Sequence, residues 1–467
     1  MKSLWDAAAV HGGTIAGELV GPGGAIKLSA LSTGSTLPGE LEALRGLSVL
    51  VATAEQLPTA LALLELDGVV RRMVLCTPDL TDQQLAAVAS TAQADAILVS
   101  KSSHALASKC ARPIVLQPLA VAAPAERRVS ERTEWVLLTS GTTGAPKLVV
   151  HTLHSLAGSL PRQSAAGDHV WSTFYDIRRY GGLQIYLRAL LSGSSLVLTT
   201  TAEPTRDFLG RAAAARVTHI SGTSSHWRRA LMSGAADRIN PQYVRLSGEI
   251  ADQDILDSLR SAYPKSRIAH AFASTEAGLA FEVNDGLAGF PETFISQQAS
   301  ASPARVNLNV VDGTLRIRSQ GAAARYLGEE STRLADEDGF IDTGDIVQLV
   351  NDRYFFRGRR GGVINVGGMK VYPEEVEAVL NADARVHMSL VHGRRNPITG
   401  SIVVADVVLS DHSGTLGEAE SAEAERVKGE LMNACRQALP AHKVPARLRL
   451  VSALEVTAAG KLVRPDG

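Results

Sequence analysis

The chain has 467 residues, enough for two or three domains, and 45% of them are apolar, enough to bury sizeable cores. Its formal net charge is −1 with 20% charged residues, which excludes a basic nucleic-acid surface or an acidic tail as an organising feature. Three widely spaced cysteines (Cys76, Cys110 and Cys435) match neither a disulfide framework nor a metal-ligand spacing, so a reducing compartment is expected. The first residues are interrupted by charge and lack the apolar core of a signal peptide. No window approaches the roughly 18 apolar residues of a membrane span. A cytoplasmic protein without membrane span or nucleic-acid partner is expected, and its oligomeric state is left open.

In chain order, strands are predicted over 47–52, 73–76 and 96–100, with helices over 55–66 and 82–91 between them. This alternation belongs to a largely parallel sheet. An apolar strand at 135–138 runs into a loop rich in glycine and hydroxyls. The alternation resumes with helices over 154–160, 183–191, 206–215 and 225–232 and strands over 195–199 and 217–221. From about residue 280 short alternating segments (305–311, 314–319, 346–349) predict a small antiparallel β subdomain, with polar turns such as Asp312-Gly313. Beyond Arg357-Gly358-Arg359-Arg360-Gly361-Gly362 comes α+β material. It includes a helix over 373–381 with Pro373 early and Glu374 and Glu375 in its first turn. The polar stretch 410–425 reads as a surface loop leading into a helix. The expected class is α/β: an N-terminal domain over 1–356 (α/β subdomains plus the small β subdomain), a hinge at 357–361, and a mobile α+β C-terminal domain over 362–467.

The loop after strand 135–138 reads Thr139-Ser140-Gly141-Thr142-Thr143-Gly144-Ala145-Pro146-Lys147. Its composition is that of a phosphate site: glycines let backbone N–H groups approach a polyanion, hydroxyls add donors, and Lys147 supplies a point charge. The spacing Gly141-x2-Gly144-x2-Lys147, with no Ser or Thr after the lysine, departs from the P-loop and disfavours a P-loop NTPase. Four further stretches carry polar groups at turns. They are Ser247-Gly248-Glu249, His270-Ala271-Phe272-Ala273-Ser274-Thr275-Glu276, Asp342-Thr343-Gly344-Asp345, and the glycine-rich run from Gly358 to Gly368 with Arg359 in it. Near the end stand Lys443-Val444-Pro445 and Gly460-Lys461. Each has an ordinary explanation alone: a flexible turn, a capped helix N-terminus at Ser274–Glu276, or a solvated terminal lysine.

Taken in order, these motifs resemble those of the AMP-forming adenylating superfamily: acyl-CoA synthetases, aryl-acid ligases, adenylation domains and luciferases. The resemblance covers residues 139–461. It implies ATP-dependent activation of a small carboxylic acid to an acyl-adenylate with release of pyrophosphate. Transfer to a thiol follows, either CoA or, alternatively, the phosphopantetheine of a carrier protein loaded by a stand-alone adenylation enzyme. The cofactors implied are ATP, Mg²⁺ and CoA. Lys147 and the loop from Thr139 to Gly144 would hold the leaving phosphates, Gly248 and Glu249 would line the adenine site, and Phe272 would stack on the purine beside Ala273 and Ser274. Thr275 would donate to phosphate, Glu276 would hold the metal, and Asp345 and Arg359 would bind ribose and phosphate. Lys461 would bridge the attacking carboxylate and the α-phosphate, screening two anions. Gly367 and Gly368 would let a pantetheine arm pass. Phe272 stands where tyrosine is usual, Ala273 where glycine is, and Gly361 where the hinge aspartate is. A non-catalytic relative would be expected to lose Lys461 or Glu276, and both are present.

The acyl pocket is less well marked. Tyr175, Arg179, Tyr180 and His226 are the candidates, with the loops 247–249 and 272–274. Arg179 falls where many acyl-CoA synthetases have a gating histidine, and Tyr180 where amino-acid adenylating domains have an aspartate. The missing aspartate argues against an α-amino acid. Arg178 and Arg179 either face a second carboxylate or polar ring substituent, or form a solvated loop. A small or medium acid, aryl or alicyclic, is the expectation.

Overall fold

The computed structural model of the chain describes residues 2–10, 14–37, 39–101, 112–116, 120–121, 129–139, 146–158, 160, 169–200, 203–296, 306–328, 333–396, 400–409 and 418–455. Cys110, Ser140, Gly141, Thr142, Thr143, Gly144 and Lys461 lie outside these described residues.

A hairpin of β1 (Glu18–Gly21) and β2 (Gly24–Lys27) precedes a βαβαβ run of β3 (Ser48–Val51), α1 (Gln56–Leu66), β4 (Arg72–Leu75), α2 (Asp82–Ala92) and β5 (Ala96–Val99). Then come β6 (Pro113–Val115), β7 (Glu134–Thr139), β8 (Lys147–His151) and α3 (Leu153–Gly158). A second run comprises β9 (Val170–Thr173), α4 (Tyr180–Leu191), β10 (Ser195–Val197), α5 (Thr205–Ala214), β11 (His219–Gly222), α6 (Ser224–Met232), β12 (Tyr243–Ser247), α7 (Gln253–Ala262), β13 (Arg267–Ser274) and β14 (Gly278–Val283). Strands β15 (Phe290–Pro291), β16 (Val306–Val311), β17 (Thr314–Ser319), β18 (Arg325–Leu327), β19 (Ile341–Val350) and β20 (Arg353–Arg359) follow. The chain ends in β21 (Ile364–Val366), β22 (Met369–Val371), α8 (Pro373–Asn381), β23 (Val386–Asn396), β24 (Gly400–Leu409), α9 (Glu418–Ala438) and β25 (Arg447–Leu450).

The first sheet runs β18-β8-β7-β4-β3-β5-β6, parallel except for the antiparallel pairs at the β8 and β18 edge. The second runs β14-β13-β12-β11-β9-β10-β1-β2, with antiparallel hairpins only at its two edges. Helices α1 and α4 lie between the two sheets. Leu61, Leu64, Leu183 and Leu187 pack with Val49, Met73 and Trp135 of the first sheet and Leu196 of the second. Eight consecutive residues of α1, Thr59 to Leu66, are buried, as expected of a helix covered on all sides. Helix α2 covers the outer face of the first sheet, and α5, α6 and α7 cover that of the second. The crossovers thus bury both faces of both parallel sheets, which explains the near-continuous apolar strands.

The expected β subdomain is a five-stranded sheet, β15-β20-β19-β17-β16, around Phe281, Phe290, Leu315 and Ile317. One strand of this segment departs from it: β18 crosses to pair with β8 at the edge of the first sheet. The last sheet (β22-β21-β24-β23, with β25 on β24) is covered by α8 and α9 through Val376, Leu380, Val427 and Leu431. Two expectations shift. Arg357 to Arg359, placed in the hinge, still belong to β20, where Arg359 pairs with Asp345 and Gly358 with Ile346. The stretch expected to be loop over 410–425 is already helical from Glu418.

Candidate active site

The phosphate loop joins β7 to β8 as a hairpin whose last pair is Thr139 with Lys147, so both ends of the loop are pinned in register. Tyr326 of β18 lies opposite Val149, and Lys147, two residues along β8, is its diagonal neighbour on that face. The Lys147 ammonium sits 5.0 Å from the centre of the Tyr326 ring. The Tyr326 hydroxyl in turn donates to Glu276 Oε1 at 3.4 Å. Residues 147 and 276 are therefore brought together through a tyrosine.

Thr275 and Glu276 occupy the turn between β13 and β14, so the capped helix N-terminus suggested by their sequence is replaced by a strand hairpin. Ser274 Oγ accepts from the Ala277 N–H at 2.9 Å. Ala323 N–H donates to the Glu276 carbonyl at 2.8 Å. Gly278 closes the turn at φ +81°, where a Cβ would run into the Gly321 backbone. The third fastening is His151 at the end of β8, whose Nε2 lies 2.7 Å from the Thr275 carbonyl oxygen. A carbonyl only accepts, so Nε2 carries the proton. Burial holds this imidazole at about 4, neutral at physiological pH, and leaves Nδ1 as acceptor 3.0 Å from Ser155 Oγ.

Asp345 and Arg359, expected to bind ribose and phosphate, face each other across β19 and β20, with Nε 3.2 Å from Oδ1. The arginine is exposed, 65% of its side chain being open to solvent, and its Nη2 also donates to the Thr343 carbonyl at 3.4 Å. Phe272 is half-buried and stacks on Phe356 at 4.9 Å and on Phe281 at 5.9 Å. It belongs in this conformation to the core of the β-rich unit. A bulge between Phe272 and Ala273 turns the strand at the point where glycine is usual. Gly248 sits at φ +86°. The Glu249 carboxylate accepts from Ser225 N–H at 2.8 Å and Ser225 Oγ at 3.0 Å, capping the start of α6.

The acyl candidates scatter into different roles. The Tyr175 hydroxyl donates to the Ser247 carbonyl at 2.5 Å, and burial pushes its phenol well above the usual range. His226 is the third residue of α6 and closes a reciprocal cap with Thr223. Burial holds it at about 3, and its ring stacks on Phe174 at 5.3 Å. Tyr180 opens α4 and lies 5.9 Å from the His151 ring. The two arginines do not form a substrate-facing pair. Arg178 is buried against Asp176 (2.8 Å from Nε) and the Thr53 carbonyl, and Arg179 reaches Asp79 at 2.7 Å. Each reaches a carboxylate of the chain itself.

The family model described as AMP-binding enzyme matches residues 48–326, and that of its C-terminal domain matches residues 375–461. The chain belongs to the AMP-binding enzyme family. Among curated proteins it resembles a 2-succinylbenzoate–CoA ligase of Listeria innocua, 26% identical over 343 residues, covering 71% of this chain and 69% of that one. It also resembles a plipastatin synthase polypeptide of Bacillus subtilis, 25% identical over 72% of this chain and 14% of that much longer one. Its fold matches an anthranilate CoA ligase holding anthranoyl-AMP with a TM-score of 0.77 at 16% identity, covering 99% of this chain and 95% of that one. An amide bond synthetase from Marinactinospora thermotolerans matches with a TM-score of 0.74 at 20% identity, covering 95% and 94%. This AMP-binding enzyme is an AMP-forming ligase that activates a carboxylic acid with ATP and passes the acyl group to a thiol.

Sequence reasoning missed two residues that the structure sets against the candidate site residues Lys147, Thr275 and Glu276 of this AMP-binding enzyme. His151 had a visible signal, a histidine ending the apolar run Leu148-Val149-Val150. Tyr326 had none, because its place depends on β18 leaving its own sheet. Among the described residues no three His, Cys, Asp or Glu side chains gather into a metal site. A single carboxylate at Glu276 fits Mg²⁺, which usually keeps several waters and is shared with substrate phosphates. Gly367 and Gly368, at φ +57° and +86°, form the two-residue hairpin turn of β21 and β22. Gly361 sits in a short 3₁₀ turn without a left-handed φ, so its backbone there is open to other residues. Gly358 differs: at φ +122° its missing Cβ makes room for the Glu374 carboxylate at the start of α8.

Proposed function

We propose that the enzyme adenylates a small carboxylic acid and transfers it to CoA. The observation that carries the residue assignment is the line from Lys147 through Tyr326 to Glu276, which gathers an ammonium and a carboxylate from separate motifs at the mouth of the phosphate loop. In the first half-reaction an acid oxygen attacks the α-phosphate of ATP and pyrophosphate leaves. Lys147 and the loop from Thr139 hold the departing charge, and Thr275 donates to the phosphate. Glu276 would hold Mg²⁺, which would supply charge neutralisation at the phosphate oxygens. Asp345 accepts from the ribose hydroxyls, with Arg359 beside it. Lys461 screens the attacking carboxylate from the phosphate. The segment after β20 then re-orients, taking Lys461 away and bringing the Gly367-Gly368 turn to the thiol path. The thiolate attacks the acyl carbon, and AMP leaves as the thioester forms. Such a rotation lets one small domain serve two steps.

Relatives that act on 2-succinylbenzoate support an aromatic or medium-sized acid, and a cytoplasmic location suits CoA chemistry. ATP–pyrophosphate exchange across a panel of carboxylic acids tests the first step. Release of AMP with CoA or with a phosphopantetheinylated carrier protein tests the second. Acid-dependent exchange followed by CoA-dependent AMP release is expected. Exchange with AMP release only on carrier protein would replace CoA as the acceptor.

A further inference from the structure

The second sheet turns one face toward α4, and its register sets out what lies there. Trp171, His219, Tyr243 and Arg267 stand side by side on β9, β11, β12 and β13. Two residues further along, Thr173, Ser221, Arg245 and Ala269 form the next row on the same face. Above Arg245 comes Ser247, whose carbonyl holds the Tyr175 hydroxyl. Small side chains (Ala269, Ala271, Ala273) line β13 along this stretch, leaving the sheet surface thin beneath α4. From α4 the Arg188 guanidinium lies 5.5 Å over the Trp171 ring.

The charges on this face do not balance. Arg245 is only 5% exposed. Its nearest acid is Glu282, with Nε 3.5 Å from Oε2, within ion-pair distance but outside hydrogen-bond geometry. That one carboxylate is already taken: Arg267 donates to it at 2.8 Å and the Tyr243 hydroxyl at 2.7 Å. Arg188 has burial and the facing Arg245 pulling it down to about 10, which leaves it charged at neutral pH. His219 is held neutral at about 4, chiefly by burial. Among the described residues Arg188 Nε, Arg245 Nε and Trp171 Nε1 are buried donors with no acceptor. Two other buried arginines are each met by their own carboxylate, Arg72 by Glu134 and Arg178 by Asp176 at hydrogen-bond distance, while Arg179, Arg211, Arg229 and Arg316 each also keep one buried guanidinium nitrogen without an acceptor. Burying a cation without its acceptor is destabilising, so a native fold that keeps two beside one shared carboxylate calls for an anion.

We propose that Arg245, seconded by Arg188, is the specificity site for a second carboxylate on the acid, making the enzyme selective for dicarboxylic substrates. This rests on the adenylation reading above. The reacting carboxylate belongs at the Thr275–Glu276 end of the face, and Arg245 lies two residues, about 7 Å of strand, below the Ser247 loop. A guanidinium matches a carboxylate with two parallel N–H donors, and a monoacid entering the same site leaves those donors unpaired. The anion-binding role expected for Arg178 and Arg179 thus passes to two arginines that sequence spacing did not group.

The test compares matched acids by ATP–pyrophosphate exchange: benzoate with terephthalate, heptanoate with pimelate, and 4-oxo-4-phenylbutanoate with 2-succinylbenzoate. The best substrate should be a diacid, with kcat/KM roughly 100-fold above its monoacid partner. Arg245→Met should lower that diacid-to-monoacid ratio at least tenfold, Arg188→Met should lower it less, and Arg245→Lys should recover part of it. A loss of fold lowers both rates together and leaves the ratio in place, so the ratio reports recognition. If Arg245→Met does not fold, the wild-type ratios and Arg188→Met decide. Monoacids used as well as their diacid partners, or a ratio unmoved in a folded Arg245→Met, overturns the inference while leaving adenylation intact. No exchange with any acid overturns the adenylation reading itself.

Discussion

The nucleotide side and the acyl side of this enzyme are built by different means. On the nucleotide side the polar groups sit at hairpin turns or directly across a ladder: Thr139 with Lys147, Thr275 with Glu276, Asp345 with Arg359. Backbone pairing places them, so residues close in sequence stay close in space. On the proposed acyl side the groups come from one helix and two strands far apart in sequence: the register of the second sheet aligns Trp171, Tyr243 and Arg245, and packing of α4 on that sheet adds Arg188. Residues placed within one hairpin are expected to be sensitive through charge and geometry, and residues gathered from elements distant in sequence through selectivity.

The largest effect tests the charge half of that contrast. Lys461→Ala is expected to lower adenylation by roughly 1,000-fold, the scale of a lost transition-state charge contact. Thioester formation from supplied acyl-adenylate should persist, and equal loss of both steps would remove Lys461 from the first. Next comes His151, a positioning residue fastening the phosphate strand to the Thr275 turn. His151→Phe leaves the Thr275 carbonyl without its buried donor and should cost about 1–3 kcal/mol in stability. Adenylation should drop several-fold, with His151→Gln, which still carries an N–H, recovering part; equal behaviour of Phe and Gln in denaturation and exchange assays would refute that role.

A smaller effect follows from pH. His151 and His226 are neutral in the fold at about 4 and about 3, against an ordinary histidine value of 6.5. The unfolded chain therefore binds more protons below pH 6.5, and stability falls as the pH drops from 6.5 toward those values. The slope is about 1.4 kcal/mol per pH unit for each histidine, and denaturant titrations of wild type and His151→Gln should differ by one such contribution. The smallest effect belongs to Arg179. Its ion pair with Asp79 is partly exposed, so Arg179→Ala should change stability by about 0.5 kcal/mol and leave acid selectivity unchanged. A change in selectivity would return Arg179 to the acyl site.

The same contrast governs what the sequence made legible. Most strands and helices of the first sheet and about half of those of the second were readable from apolar runs, and α8 to the residue from Pro373 and its acidic first turn, whereas β1, β2, β6, β9, β13, β14 and α7 were not predicted. Glu276, Asp345 and Arg359 were nominated because each sits in a short contiguous motif, and the structure sets Glu276 in a hairpin turn and Asp345 opposite Arg359 across β19 and β20. Arg245 was invisible: within Val244-Arg245-Leu246 it is one cation in a buried strand, and only the register beside Ser221 and the shared Glu282 gives it meaning. Arg178 misled for the opposite reason, since a charged pair in a loop reads as exposed until Asp176 and Thr53 are seen to enclose it.

Strand β18 has one further consequence. Without it, β8 would end the first sheet with a row of unpaired N–H and C=O groups beside the phosphate loop, an invitation to pair with another chain. The three residues Arg325 to Leu327 cover that border, and being so short they offer little template themselves. The strand that brings Tyr326 to Lys147 therefore also serves as a guard against self-association, and shortening or unpairing it should be felt first as aggregation.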